Sequence, residues 1–192
     1  MNYGDANYGF GYKQAESQEE TLHMLAELVE RATIDPLVVN TAHMLIMGVG
    51  TVGGVRTKAH DWDELNTIFK AVKHGDTRVQ PLRGGFKYIA DPRFADYFSA
   101  PADSLRNCLK GACGGDCDDH ASLLAALCGS IGFRCGLRAW GPKNAKGYSH
   151  VYALAAFPKR DPQKWVAMDT TVASSSLGWE PPRGHVLNAI FE

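Results

Sequence analysis

The sequence predicts an α+β domain, with helices first and an antiparallel meander of strands after them. Three observations predict it. Apolar residues recur at spacings of three and four through residues 16–31 and 61–74. A nearly all-apolar run, 121–128, follows an acidic turn. Apolar and polar residues then alternate over 133–140, 149–157 and 164–170. A chain of 192 residues makes one domain or a domain with an appendage, and 45% hydrophobic residues suffice for a packed core. Twenty Lys+Arg against 21 Asp+Glu leave a net charge of −1, which removes the electrostatic argument for nucleic acid or an anionic membrane surface. No apolar run reaches the ~18 residues of a membrane span, and no basic segment followed by an apolar one suggests a signal peptide. Five Cys, an odd number, argue against a disulfide framework and for a reducing compartment.

Taken in order, residues 1–15 mix Gly with Tyr3, Tyr8, Phe10 and Tyr12 and read as a loosely docked arm. Leu22, Leu25, Leu28 and Val29 mark the first helix. Asp35-Pro36 caps a second, 37–47, which is apolar nearly all round and so is expected to be buried. Glycines in 48–54 end it. The third helix, 61–74, carries Leu65, Ile68, Phe69 and Val72 and stops at Gly75. Residues 86–89 form a short apolar stretch, Asp91-Pro92 turns the chain, and 97–101 and 108–115 read as loops. The central helix begins after Gly114-Gly115, a pair that reads as flexible. Cys117, Ala121, Leu124, Cys128 and Ile131 share one of its faces, and Asp116, Asp118 and Asp119 crowd its first turn. If Phe157 pairs with Lys164 in the last hairpin, Asp169 faces Tyr152. It then lies on the same face as His150 and within diagonal reach of it.

That placement joins three residues into a chemical hypothesis. Cys117 opens a helix, where the dipole and free N–H groups favour a thiolate. Its three Asp neighbours oppose one, so a cation is needed, and His150 is the candidate. Asp169 would orient the imidazole. A rival is zinc on Cys108, Cys113, Cys117 and His120, although the gaps of five, four and three depart from the paired spacing of zinc ribbons. Arg134, Arg138, Lys143 and Lys146 read as a solvated face or a contact for a substrate carboxylate.

The segments Gly115-Asp116-Cys117-Asp118-Asp119-His120-Ala121, Ser149-His150-Val151-Tyr152 and Met168-Asp169-Thr170-Thr171 together resemble the transglutaminase-like superfamily, a papain-like thiol fold. The pattern is closest to members encoded by bacteriophages and prophages, which share the stretch from Tyr88 to Asp91, Pro101 and Leu177-Gly178-Trp179. The resemblance covers residues 62–182, which suggests an arm (1–15), a helical extension (16–60) and a transglutaminase-like domain (61–192). It implies a triad of Cys117, His150 and Asp169 that attacks an amide carbonyl and forms a thioester, resolved by water or by an amine. A cysteine peptidase or amidase of phage or prophage origin is the leading expectation. A catalytically silent virion or assembly module is the alternative. Tyr97, Phe98 and Trp140 are candidate substrate contacts, and Trp62, Asn107 and the Tyr97-Phe98 loop candidate oxyanion donors beside the Cys117 N–H. No cofactor and no metal are expected. The expected partners are a protein or peptide substrate and phage structural proteins, and the expected location is the cytoplasm of a bacterial host or the virion.

Overall fold

The computed structural model describes residues 17–47, 49, 57–91 and 98–191. The expected arm lies outside them. Helix α1 (Gln18–Ala32) starts at Ser17, whose side chain accepts the Glu20 N–H. Helix α2 (Pro36–Ile46) starts at Asp35, which accepts the Leu37 N–H, so the cap and the Pro stand where the sequence puts them. Its all-round burial does not hold. Val38, Thr41, Ala42 and Leu45 are buried, while Met44 is exposed. Helix α3 (Lys58–His74) begins one turn earlier than expected, because the Thr57 N–H donates to His60 Nδ1 at 3.0 Å. A histidine in place of the usual Glu or Gln hides this capping box from pattern reading.

A short strand β1 (Lys87–Tyr88) pairs in parallel with β2 (Gly114–Gly115), and helix α4 (Pro101–Leu109) lies between them. The sequence missed α4. Ala100 supplies no side-chain cap, and the buried face rests on Ala102, Leu105 and Cys108, a weak apolar signal. At its end Cys108 and Cys113 form a disulfide, so one bridge and three free cysteines make up the five. The odd count excludes full pairing but not a single bridge, and the argument from it to a reducing compartment lapses. The bridge also takes two of the four sulfur and nitrogen donors on which the zinc reading depends.

Helix α5 (Cys117–Ser130) is the centre of the fold, buried at every position from Asp118 to Cys128. It packs against β3 (Cys135–Pro142) and β4 (His150–Phe157), which continue with β5 (Lys164–Met168) and β6 (Gly184–Phe191) in an antiparallel sheet of order β5-β4-β3-β6. The expected Phe157–Lys164 pairing is present. β6 is an addition. Val186 and Ile190 face outward on a strand whose inward side is also apolar, which masks the alternation. One core joins α1, α2, α3, α4, α5 and the helix-facing side of the sheet, including Leu25, Val38, Leu65, Leu124, Leu137 and Ala153. On the other face Tyr152, Leu154 and Ala167 pack with Trp140 and Trp165. Arg138 lies over Tyr152 there and bonds Asn188 and Glu180, while Arg134 lies over Trp165. These two arginines therefore brace the outer face of the sheet. No helix among the described residues is long and apolar enough to cross a membrane.

Candidate active site

Gly114 and Gly115 lead into α5 by close packing rather than by flexibility. A Cβ on Gly114 would stand 2.5 Å from the Lys87 carbonyl oxygen, and one on Gly115 would strike the Asp119 side chain. The Gly pair can thus lie in a strand with β1 and fold the Asp119 carboxylate back against the turn. Asp116 then caps α5 by accepting the Asp118 N–H at 3.3 Å. Cys117 is the first residue of the helix and, of the three free cysteines, the one not fully buried.

The first turn carries less charge than its three carboxyls suggest. Burial, together with the Asp116 carboxylate beside it, holds Asp118 protonated well above the usual carboxylate range. Burial also pushes Asp119 up to about 6, against the pull of the Ser99 N–H that its Oδ1 accepts at 3.0 Å. The expected thiolate at Cys117 is not favoured at rest. Burial pushes the thiol up to about 12, Asp116 and Asp118 push the same way, and the N–H groups of Val151 and of Cys117 itself pull back only in part. Burial is the largest influence on this thiol, and it opposes what the helix terminus favours.

His150 opens β4, and its Nε2 lies 2.7 Å from Asp169 Oδ2. The imidazole is 18% exposed and the carboxylate 1%. Burial alone would raise the Asp169 carboxyl, but the His150 ring and the Thr171 N–H and O–H outweigh it and hold the group below its ordinary value. Asp169 Oδ1 accepts both Thr171 donors, at 3.0 and 2.7 Å, and the Ser175 hydroxyl bonds the Asp169 carbonyl. Lys73 of α3 holds the same turn, donating to the Val172 and Ser175 carbonyls at 2.8 and 2.6 Å. With Nε2 bonded to the carboxylate, Nδ1 is left as the proton acceptor of the ring.

Cys117 and His150 line one cavity of about 240 Å³ with Gln18, Phe98, Tyr148 and Val151. A second cavity, about 360 Å³, shares His150 and is walled by Tyr88, Trp140, Thr171 and Trp179. Of the candidate substrate contacts, Phe98 lines the cavity that holds Cys117, Trp140 lines the second one and pairs with His150 across β3 and β4, and Tyr97 is outside the described residues. Trp62 packs edge-on against Phe157 at 5.6 Å and Asn107 is exposed on α4, so neither lines these cavities. Gln18 escaped sequence reading because nothing local marks it, while Tyr88 and Trp179, noted there only for their resemblance, prove to line the second cavity.

His120, considered only as a metal ligand, is a link within the core. Its Nδ1 lies 2.8 Å from Thr170 Oγ1, and its ring packs edge-on against Phe86 at 4.8 Å. It thereby ties the Cys117 helix to the residue beside Asp169. Burial, outweighing the Lys87 carbonyl and the acidic groups, lowers His120 to about 4. Its folded value thus lies below the unfolded ~6.5, so the unfolded chain takes up the proton first and stability falls as pH drops from ~6.5 towards ~4. His120→Phe is expected to flatten this fall in a denaturant series run at several pH values. An unchanged slope would refute the assignment.

No protein-family model matches the chain, and no curated protein matches it in sequence. Among solved structures it is similar to a Cytophaga hutchinsonii protein proposed to be a cysteine protease, with 14% identity and a TM-score of 0.44. The match covers 88% of this chain and 56% of that one, so the chain spans little more than half the length of that protein.

Proposed function

We propose that the protein is a thiol hydrolase or acyltransferase of the transglutaminase-like class, most simply a cysteine peptidase or amidase. The observation that carries this reading is the bond of 2.7 Å between His150 Nε2 and Asp169 Oδ2, with His150 and Cys117 on one cavity. Because the thiol is neutral at rest, the imidazole acts as general base. As sulfur attacks the amide carbonyl, its proton passes to His150 Nδ1, and Asp169 stabilises the imidazolium. The tetrahedral intermediate expels the amine, which takes that proton, and leaves a thioester on Cys117. Water, or a second amine in transamidation, then attacks the thioester while His150 again takes a proton, and Cys117 returns as a thiol. Phe98 and Trp140 contact substrate on the two sides of His150. A phage or prophage origin, with phage structural proteins as partners, rests on the sequence resemblance alone.

A silent binding module on the same fold is the second reading, in which the neutral Cys117 thiol is never deprotonated by His150. Alkylation by iodoacetamide separates the two. Cys128 and Cys135 are fully buried with thiols pushed up by that burial, and Cys108 and Cys113 are bridged, so Cys117 is the thiol that reports. With a working base, Cys117 is labelled near neutral pH, and His150→Ala slows labelling by about 10²-fold or more. Labelling that waits for strongly alkaline pH and ignores His150→Ala would overturn the enzyme reading.

A further inference from the structure

We infer that Gln18, on the helix that precedes the stretch resembling the transglutaminase-like class, is a positioning residue for His150, which makes α1 part of the active site. The inference rests on the reading of Cys117, His150 and Asp169 as a triad. The Gln18 side-chain amide makes two bonds to the backbone of one residue, Tyr148, and so holds the peptide groups on both sides of its Cα. Nε2 donates to the Tyr148 carbonyl oxygen at 2.9 Å, and Oε1 accepts the Tyr148 N–H at 2.9 Å. This is the pairing a neighbouring strand would offer, and it is made just ahead of the residue that opens β4. Both polar atoms of the amide are engaged with the Tyr148 backbone, so Gln18 is placed to hold the chain.

The close approach has its own signature. A Cβ on Gly147 would stand 2.7 Å from Gln18 Oε1, so the residue before Tyr148 must be small for the amide to seat. Gln18 is itself well anchored. It is the first residue of α1, and Leu22 and Leu25 on the following turns are 2% and 4% exposed in the core. The sheet holds His150 through Trp140, and Ser149 donates to the Trp140 carbonyl. The Tyr148 peptide before them is held by Gln18. His150 lies at the end of its strand, so its ring direction depends on how the chain enters. Gln18, Cys117 and His150 line the same cavity, so a shift of the Tyr148 peptide moves the imidazole relative to the sulfur.

The test uses the full chain and iodoacetamide labelling of Cys117, with thermal unfolding in parallel. Gln18→Ala is expected to slow labelling by about 10- to 10²-fold, the scale of a misplaced catalytic group, with little change in Tm because Gln18 is exposed. Gly147→Ala is expected to slow it equally, because its methyl group displaces the amide, and it serves as the second variant should Gln18→Ala fold poorly. The double variant Gln18→Ala/Gly147→Ala is expected to be no slower than Gln18→Ala, and neither change should slow labelling further in a His150→Ala background. Wild-type labelling in Gln18→Ala, or effects that multiply in the double variant, would overturn the inference while leaving the triad standing. Wild-type labelling in His150→Ala overturns the triad itself and the inference with it.

Discussion

Asp169→Asn is expected to leave the fold intact and to slow acylation of Cys117 by up to about four orders of magnitude. The reason lies in how its two oxygens are used. Oδ1 accepts the Thr171 N–H and O–H, and Oδ2 faces His150 Nε2 at 2.7 Å. In the variant, the two Thr171 donors select the amide oxygen for the Oδ1 position. The NH₂ group is then turned to His150, where it forces Nε2 to accept. The ring proton moves to Nδ1, the nitrogen that has to take the thiol proton, and the base is lost without a change of volume. The measurement is the rate of acylation by a peptide-derived electrophile, with thermal unfolding as the control for folding. Full activity in a folded Asp169→Asn protein would remove Asp169 from the triad.

Lys159→Met is expected to cost about 3 kcal/mol of stability, the scale for removing one partner of a buried ion pair. Lys159 Nζ donates to Glu64 Oε2 at 2.7 Å and to the Ile131 carbonyl at 2.8 Å, and lies 4.3 Å from the centroid of Phe133. Glu64 and Asp61 of α3 are 4% and 7% exposed, and the Lys159 N–H donates to Asp61 Oδ2 at 2.9 Å. Methionine fills the same channel but leaves the Glu64 carboxylate without the ammonium. Adding Glu64→Gln should recover part of the loss, because the buried carboxylate charge that faced the ammonium is then gone. Chemical denaturation of the two variants reads the effect. Wild-type stability in Lys159→Met would show that the pair contributes nothing net.

The His150–Asp169 contact is legible in the sequence because it follows from period and register alone. Once Phe157 is set against Lys164, the two-residue period of a strand carries Asp169 to the face and the reach of His150. Asp35-Pro36 and the start of α5 were legible for a similar reason, since caps act on the next few residues. Where signals were atypical, the reading failed. His60 stands where a capping box usually has Glu or Gln, α4 has few strong apolar residues, and β6 is apolar on both sides.

By itself, then, the sequence determined the α+β order of elements, the core character of α5, and the juxtaposition of His150 with Asp169, all of which depend on neighbours along one chain segment or one hairpin. Only the tertiary structure decided the rest. The Cys117 thiol is raised because burial, a property of everything packed around it, outweighs the pull of the backbone N–H groups of Val151 and Cys117. Asp118 stays protonated for the same reason. Gln18 reaches Tyr148 across 130 positions of sequence, and His120 reaches Thr170 across 50. No spacing rule carries that far, because side chains so separated meet only where the core brings their elements together.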